Sequence, residues 1–353
     1  MSKSYVSSPK NQALRIVILL LFSSFSFCWL YFFQGGLMEA AYNMAISKVG
    51  GIEGHFSPLL MALVLTGILD MIAIGIRTIG RADGPFVALD YIVPSVLLGA
   101  FTSFDGTRFF SQSSSQWICV LAVSVLMLLL AAFIKARSLF RSNDMASGMA
   151  VNLMLMPVMF GMTVLLGNTD ELYHKELLVD KYVSAGRYEK ALQVGRSDEE
   201  SSIVLGRLRA DAMIAISKDS TGAEIGNRLF DYVIASPSSL SAYLKNEASR
   251  DSLGHDNLLL AAALLDRDLE KADTIFSPSL YKEVLPKFFM QAFVISENEQ
   301  ARDCFPDQYA READNYRRFM QQYEESAGKP LQYRRNSCFM DWHDSYFWYY
   351  QFR

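Results

Sequence analysis

Hydrophobic residues are distributed in two different ways along the chain, and the change falls at about Gly167. Before this point they form five long apolar runs; after it, short apolar groups recur at helical spacing among many charged residues. At about 1.5 Å per residue, each run gives roughly 25–30 Å of helix, which matches the hydrocarbon core of a bilayer. The pattern predicts an all-α protein with five transmembrane helices (16–33, 57–76, 86–104, 117–134 and 151–167) and a soluble helical domain at 168–353.

The first apolar run also has the position of a secretory signal peptide. It ends in the bulky segment Trp29–Phe33, however, and the nearest pair of small residues, Ala40 and Ala41, is a weak cleavage site. We therefore predict an uncleaved signal anchor, with a cleaved signal peptide as the alternative.

The charged residues divide unequally at the same point. Residues 1–167 contain 10 Lys/Arg and 7 Asp/Glu; since the whole chain contains 33 and 37, residues 168–353 contain 23 and 30. The net charge is thus +3 for the membrane domain and −7 for the soluble domain. Because phosphate neutralisation supplies most of the affinity for nucleic acids, an acidic domain without a basic run argues against that class of partner. The expected partners are the lipid bilayer and a protein or peptide.

Lys and Arg are enriched in the cytoplasmic loops of membrane proteins. Five crossings would place eight of them on the side of the N-terminus and two, Lys48 and Arg108, on the other side. The eight are Lys3, Lys10, Arg15, Arg77, Arg81, Lys135, Arg137 and Arg141. This bias predicts a bacterial inner-membrane protein with a cytoplasmic N-terminus and a periplasmic C-terminal domain. The prediction would reverse if one run failed to insert, and the fifth run is the weakest because it is the shortest and contains Asn152 and Pro157.

Two carboxylates lie within the apolar runs. Asp70 is about 9 Å from the cytoplasmic end of the second run, and Asp90 is about 6 Å from the start of the third. A short loop joins these runs, so both residues should lie at a similar depth on neighbouring helices. Ionisable residues in a membrane are hypotheses of function, and two adjacent carboxylates would form a candidate proton or cation site. The alternatives are ion pairs with Arg77 or Arg81, and a hydrogen bond between helices.

The clearest element of the soluble domain is a helical hairpin between Leu177 and Gln193. Gly186 fits the left-handed cap between its two helices. Tyr188 and Ala191 are three positions apart and lie on one face of the second helix. The segment resembles a tetratricopeptide repeat, which has Leu, Tyr, Gly, Tyr and Ala at the positions of Leu178, Tyr182, Gly186, Tyr188 and Ala191. It departs from that pattern at Val179 and Gly195, where the repeat has a small and a large apolar residue.

A second, fainter copy of the hairpin spans Leu258–Phe276, where Asp266, Arg267 and Asp268 replace the glycine turn. The turns at residues 186 and 267 are 81 residues apart, which is not a multiple of the 34-residue period of tetratricopeptide arrays. We therefore predict irregular tetratricopeptide-like hairpins, with a simple antiparallel helix bundle as the alternative.

The soluble domain contains two cysteines, Cys304 and Cys338. An oxidising compartment would permit a disulfide between them, although the sequence does not show that they meet. The sequence ends in an aromatic segment, Trp342–Arg353, which we expect to pack on the helical domain or, alternatively, to lie at the membrane interface.

Three segments, Leu264–Glu270, Leu285–Ala292 and Tyr346–Phe352, carry a further resemblance. Together they resemble an uncharacterised Bacteroidota family of multi-span membrane proteins with a tetratricopeptide-like C-terminal half and an ending rich in Tyr and Trp. The matching motifs cover under a fifth of the chain. The resemblance implies this architecture and no activity.

The sequence contains no phosphate-binding glycine loop, no His-Glu-x-x-His helix and no nucleophile elbow, and its four histidines are scattered. We therefore predict no catalytic, cofactor-binding or metal-binding residues. The favoured function is a membrane-tethered scaffold that binds a protein or peptide partner. The alternatives are a transport or channel component that uses Asp70 and Asp90, and an enzyme acting on lipid-linked substrates.

Overall fold

The computed structural model describes residues 9–49, 55–80, 86–106, 111–136, 145–196, 198, 200–217, 223–250, 254–281 and 284–352. The prediction of an all-α protein is confirmed: the elements are helices, and no β-strand occurs in these ranges. The chain divides into two compact units, Met1–His174 and Lys175–Arg353, which we call the first and the second unit.

The helices of the first unit are α1 (Pro9–Cys28), α2 (Gly35–Val49), α3 (Pro58–Gly80), α4 (Ile92–Phe101), α5 (Ser114–Ala136) and α6 (Met145–Leu166). A π-helical turn, Trp29–Phe33, follows α1, and a 3₁₀ turn, Val87–Tyr91, precedes α4. Large side chains such as Ile18, Phe22 and Met156 are fully buried in the core of this unit.

Three helices of the first unit are long and apolar enough to cross a membrane: Gln12–Phe33, Pro58–Thr78 and Met149–Leu166. They coincide with the first, second and fifth of the predicted spans. Within the described residues the other two predicted spans contain shorter apolar stretches, Val87–Phe101 and Ser114–Leu130, the latter being the first part of α5. The described residues thus show three candidate spans and not the predicted five.

The third apolar run is short as a helix because its backbone changes geometry. It begins with a 3₁₀ turn, and α4 has only 10 residues, or about 15 Å of helix, before Thr102 Oγ1 bonds back to the Leu98 carbonyl oxygen at 3.0 Å. Gly99 allows α4 to lie close against α6, since a Cβ at this position would be 2.7 Å from Leu166 Cβ and 2.8 Å from the Thr163 carbonyl oxygen. Apolar composition predicted the burial of this run but not its shape.

The second unit begins within α7 and consists of helices joined by short turns. α12 and α14 have buried side chains on all sides and lie at its centre. Its helices are α7 (Glu171–Ser184), α8 (Tyr188–Gln193), α9 (Ile203–Ser217), α10 (Ala223–Arg228), α11 (Pro237–Ala248), α12 (His255–Leu265), α13 (Leu269–Ile275), α14 (Lys287–Ile295), α15 (Glu299–Cys304), α16 (Pro306–Glu325), α17 (Leu331–Trp342) and α18 (Tyr346–Phe352).

Three hairpins of this unit, α7–α8, α12–α13 and α14–α15, share one turn geometry. Each turn has a single left-handed residue, with φ of +68° at Gly186, +59° at Arg267 and +55° at Glu297. In each, the next backbone N–H bonds to a carbonyl oxygen five residues earlier, at 2.8–3.0 Å. The first two turns lie where the sequence predicts them. The third was not predicted, because Glu297 carries no glycine signal.

The residues of the tetratricopeptide signature are packed differently from what the resemblance implies. Gly186 does form the left-handed turn, and Ala191 is fully buried. However, Leu178 is 40% exposed, whereas its neighbour Val179 is fully buried. Tyr182 and Tyr188 are partly buried. The hairpin is present, and the side chain in its core is Val179.

Candidate functional site

The first candidate site is a polar region inside the first unit, around Asp70 and Asp90. Asp70 lies on α3, and its Oδ2 is 2.7 Å from Oγ of Ser23 on α1. Ser23 Oγ is also 2.8 Å from the Leu19 carbonyl oxygen, so its single proton is donated to one of two acceptors at a time. The other carboxylate oxygen of Asp70, Oδ1, is buried and has no hydrogen-bond partner among the described residues. Asp70 Oδ1 is therefore an acceptor to which no described residue of α1 or α3 donates a hydrogen bond.

Asp90 is more deeply buried, with only 6% of its surface exposed, and lies in the 3₁₀ turn before α4. Its Oδ2 likewise has no hydrogen-bond partner in the part of the chain that is described. Arg77 and Arg15 attract the Asp90 carboxylate electrostatically, and Tyr91 experiences the charges of both Asp70 and Asp90. Tyr91 therefore lies within electrostatic range of both predicted carboxylates.

Two side chains of α6 hold the segment that carries Asp90. Asn152 Oδ1 accepts a hydrogen bond of 2.7 Å from the backbone N–H of Ala88, and Thr163 Oγ1 donates one of 3.0 Å to the Ser95 carbonyl oxygen. Both side chains are fully buried. In a bilayer, backbone groups need partners inside the protein. Asn152, a weak point of the predicted fifth span, therefore has a clear structural role.

Buried hydroxyl groups extend this polar region along α1 and α3. Ser26 lies one turn from Ser23, and Thr66 lies one turn from Asp70. The hydroxyl oxygens of Ser26 and Thr66 are buried and lack a hydrogen-bond partner within the described ranges. The two helices thus supply oxygen atoms that a proton, a cation or a water molecule can use.

The second candidate site is an open cleft in the second unit, of about 590 Å³ including its mouth. Three separate parts of the chain form it: the segment after α8, the residues that follow α10, and the C-terminal aromatic region. Its polar lining residues are Arg196, Asp198, Asp231 and His343. Its aromatic lining residues are Phe230, Tyr232, Phe339, Trp348 and Tyr349.

An ion pair lies at the edge of this cleft. Arg196 Nη2 is 2.7 Å from Asp231 Oδ2, and the Asp231 side chain is only 9% exposed whereas that of Arg196 is 65% exposed. Burial raises the pKa of Asp231, and the charge of Arg196 partly opposes this rise. Asp198 is paired with Lys175 at 2.6 Å. The lining therefore combines a buried carboxylate with an exposed counter-ion.

The loop under Arg196 is held by Arg209. Its guanidinium donates to the carbonyl oxygens of Val194 and Gly195, both at 3.0 Å, and lies 4.3 Å from the ring centre of Tyr232. Tyr232 in turn donates to the Leu192 carbonyl oxygen at 2.5 Å. These contacts connect two of the three segments that form the cleft.

The C-terminal aromatic segment forms the third wall and packs on the helical unit, as one of the two predicted alternatives proposed. Tyr346 Oη donates to the Leu264 carbonyl oxygen at 3.0 Å, and Tyr349 Oη donates to that of Leu265 at 2.8 Å. These carbonyl groups belong to the last turn of α12, and that of Leu264 also accepts the backbone N–H of Arg267 at 3.1 Å. The ring of Phe230 contacts both tyrosine rings. The tail thus caps α12 and shapes the cleft at the same time.

The sequence analysis did not identify Arg196, Asp231 or Tyr232. These residues occur in short connecting segments without periodicity, and only the tertiary fold brings them together. The aromatic tail was the one part of the cleft with a visible sequence signal.

Cys304 and Cys338 are both free thiols in the structure. Cys304 is exposed at the end of α15, whereas Cys338 is fully buried in α17, where burial raises its pKa. No disulfide joins the two thiols in this structure.

In the described ranges, no group of three or more His, Cys, Asp or Glu side chains is arranged to hold a metal ion. Comparison with protein-family models, with curated proteins and with solved structures gave no match.

Proposed function

We propose that this chain is an integral membrane protein whose second unit, a tetratricopeptide-like set of helical hairpins, lies outside the cytoplasm and binds a protein or peptide partner. The observation that carries this proposal is the open cleft, in which polar and aromatic side chains from three parts of the chain converge. Stacked helical hairpins commonly provide concave surfaces for partners. Aromatic side chains and arginines are also enriched at protein interfaces.

The proposed orientation holds for three crossings as well as for five. The two shorter apolar helices, Val87–Phe101 and Ser114–Leu130, are consecutive, so their insertion as a pair changes the number of crossings by two. An odd number places the second unit on the side opposite the N-terminus in either case. With three crossings Arg108 moves to the side of the N-terminus, and the bias of Lys and Arg rises from eight against two to nine against one, Lys48.

Reporter fusions test the orientation. Alkaline phosphatase joined after Phe352 should be active, and a fluorescent protein at the same point should be dark. A cysteine introduced at Asp105, in a chain whose native cysteines are replaced by serine or alanine, distinguishes three crossings from five. A membrane-impermeant maleimide should label it from outside the cell only if five helices cross. A bright fluorescent fusion after Phe352 would refute the orientation.

Cross-linking in native membranes tests partner binding. A photo-cross-linking amino acid at Arg196, at the mouth of the cleft, should yield one stoichiometric adduct, whereas the same amino acid at Glu299, which is 84% exposed on α15, serves as the matched control. Absence of any stoichiometric adduct from several positions of the second unit would refute the scaffold function.

A specific observation also favours a second function, the transport of protons or cations through the first unit. Asp90 is 6% exposed and has one oxygen without a partner in the described structure, and Asp70 also has such an oxygen; Tyr91 lies within electrostatic range of both. A buried carboxylate in a membrane needs a proton, a cation or a hydrogen-bond donor. Asp70 and Asp90 would then be the residues that bind the transported ion.

Proton uptake into liposomes tests this function. Vesicles containing the wild-type chain should acidify under an imposed potential, and the doubly substituted chain, Asp70→Asn with Asp90→Asn, should not. Asp105→Asn, an exposed aspartate of the same unit, is the matched control. Equal acidification by the wild-type and doubly substituted chains would eliminate the ion site.

A further inference from the structure

The cleft of the second unit has a buried carboxylate whose counter-ion is exposed to solvent. The Asp231 side chain is 9% exposed, and its partner Arg196 is 65% exposed at a distance of 2.7 Å. Because Arg196 is solvated, another cation can reach the pair and take its place without leaving the buried Asp231 carboxylate unpaired. Asp231 therefore stays in place as the acceptor, and another cation can replace Arg196 beside it.

His343 adds a second acceptor to the lining. Its Nδ1 is 3.0 Å from the carbonyl oxygen of Phe339, and since a carbonyl oxygen only accepts, Nδ1 carries the proton. In the neutral ring Nε2 is then an acceptor. A ligand that enters the cleft thus meets acceptors on both Asp231 and His343.

The aromatic walls already bind guanidinium groups of the chain itself. Arg209 lies 4.3 Å from the ring centre of Tyr232, and Arg335 lies 5.3 Å from that of Trp348. Aromatic faces attract cations, and the planar guanidinium stacks on them better than an ammonium group does. The same cleft therefore combines hydrogen-bond acceptors with rings of the kind that attract arginine.

We propose that this cleft binds an arginine side chain of a basic partner segment, whose guanidinium replaces Arg196 on Asp231 and lies against the aromatic wall. The proposal rests on the scaffold function and names the chemistry of its partner. Charge complementarity supports it, because the soluble part of the chain has a net charge of −7, from 23 basic and 30 acidic residues. Exchange of one guanidinium for another conserves the ion pair while adding the contacts of the partner.

Fluorine NMR of the full chain in lipid nanodiscs tests the proposal. The protein contains four tryptophans, and 5-fluorotryptophan at Trp348 reports on the cleft wall while Trp29 reports on the first unit. The probe is N-acetylarginine methylamide, and its citrulline analogue is the matched control, since it keeps the shape and lacks the charge. We expect a saturable shift of the Trp348 resonance with the arginine probe and none with citrulline.

Two substitutions make the test specific. Asp231→Asn should weaken binding of the arginine probe by about tenfold or more, because a charge-assisted hydrogen bond is lost. Arg196→Ala should strengthen binding severalfold, because it removes the internal competitor for Asp231. Asp303→Asn, at a side chain that is 75% exposed on α15, should leave binding unchanged.

Equal shifts with arginine and citrulline, or weaker binding by Arg196→Ala, would overturn the proposal. These outcomes are distinct from failure of the scaffold function. A stoichiometric cross-linked partner without arginine binding would retain the scaffold and remove this cleft as its site. Arginine binding without any cross-linked partner would retain the site and remove the scaffold.

Discussion

Asp90 in the first unit and Glu312 in the second are equally buried carboxylates, with 6% and 7% of their surfaces exposed, but they have different surroundings. Glu312 Oε2 accepts hydrogen bonds from Gln291 Nε2 at 3.1 Å and Asn315 Nδ2 at 3.2 Å, and its Oε1 lies 3.7 Å from Arg311 Nε. Asp90 Oδ2 has no such partner among the described residues. A buried charge is tolerated when it is paired and hydrogen-bonded, so only Asp90 retains unused binding capacity.

The same difference separates the two candidate sites. In the second unit, Gln291 Oε1 also accepts from the backbone N–H of Tyr346 at 2.8 Å, so the network around Glu312 holds the tail in place. The polar groups of this network stabilise the fold of the second unit, and the candidate binding site of that unit is the open cleft. In the first unit, Asp70 Oδ1 and Asp90 Oδ2 are buried without a hydrogen-bond partner among the described residues. A buried polar group thus points to stability where it is satisfied and to function where it is not.

We expect the largest change in the free energy of unfolding when the side chain of Tyr346, in the C-terminal aromatic segment, is removed. Tyr346 is fully buried, so Tyr346→Ala should lower the free energy of unfolding of the second unit by about 3–5 kcal/mol. Tyr346→Phe removes only the bond to Leu264 and should cost about 1–2 kcal/mol. Denaturant titrations that follow 5-fluorotryptophan at Trp342 measure both values. A similar loss for the two variants would show that the hydroxyl group, rather than packing, anchors the tail.

Replacing the two buried carboxylates tests the comparison directly. Glu312→Ala should cost about 2–3 kcal/mol, because the amides of Gln291 and Asn315 lose their acceptor. Asp90→Asn should change the stability of the first unit by less than about 1 kcal/mol, since the oxygen replaced has no partner. Trp342 and Trp29 report separately on the two units. A larger loss for Asp90→Asn than for Glu312→Ala would break the contrast.

The segment that carries Asp90 depends on Asn152. Asn152→Ala should destabilise the first unit by about 1–2 kcal/mol, because the Ala88 N–H loses its acceptor in an apolar interior. The matched control on the same helix is Met154→Ala, whose side chain is 75% exposed; we expect a change within about 0.5 kcal/mol. Unfolding in mixed detergent micelles, followed through Trp29 and Trp117, measures both. No difference between the variants would mean that the hydrogen bond is dispensable.

Substitutions at two of the left-handed turns should have opposite effects on the free energy of unfolding. Gly186→Ala should cost about 1 kcal/mol, since a Cβ is strained at φ +68° although no atom lies within 4 Å of it. Glu297→Gly should be neutral or stabilising by up to about 1 kcal/mol, because φ of +55° is relieved. Thermal unfolding of both variants checks the signs, and stabilisation by Gly186→Ala would contradict the shared geometry.

The smallest effect concerns reaction rates and not stability. Cys304 is exposed, whereas burial and a raised pKa keep the Cys338 thiol protonated at neutral pH. We expect maleimide to modify Cys304 rapidly and Cys338 much more slowly until the protein is denatured, as measured by mass spectrometry of peptides. A rise in pH should accelerate Cys338 only at higher values than an ordinary thiol requires, because its thiolate forms later. Rapid modification of both would show that α17 opens readily.

Much of the architecture is local and therefore visible in the sequence. The all-α composition follows from helical periodicity, and the change in hydropathy near Gly167 follows from composition. The turn at Gly186 follows from the preference of glycine for positive φ. Each of these depends on residues that are neighbours along the chain, so no knowledge of the fold was needed.

The sites, in contrast, depend on contacts between distant residues. Asn152 contacts Ala88 across 64 positions, and Tyr346 contacts Leu264 across 82. The sequence predicted Asp70 and Asp90 because a carboxylate in an apolar run is conspicuous, but their unpartnered oxygens became apparent only with the helices in place. Likewise Val179, and not Leu178, fills the hairpin core, because packing chooses between adjacent apolar residues. Sequence determined which segments are helical and apolar, and tertiary packing decided which of their polar groups are satisfied and which remain free to bind.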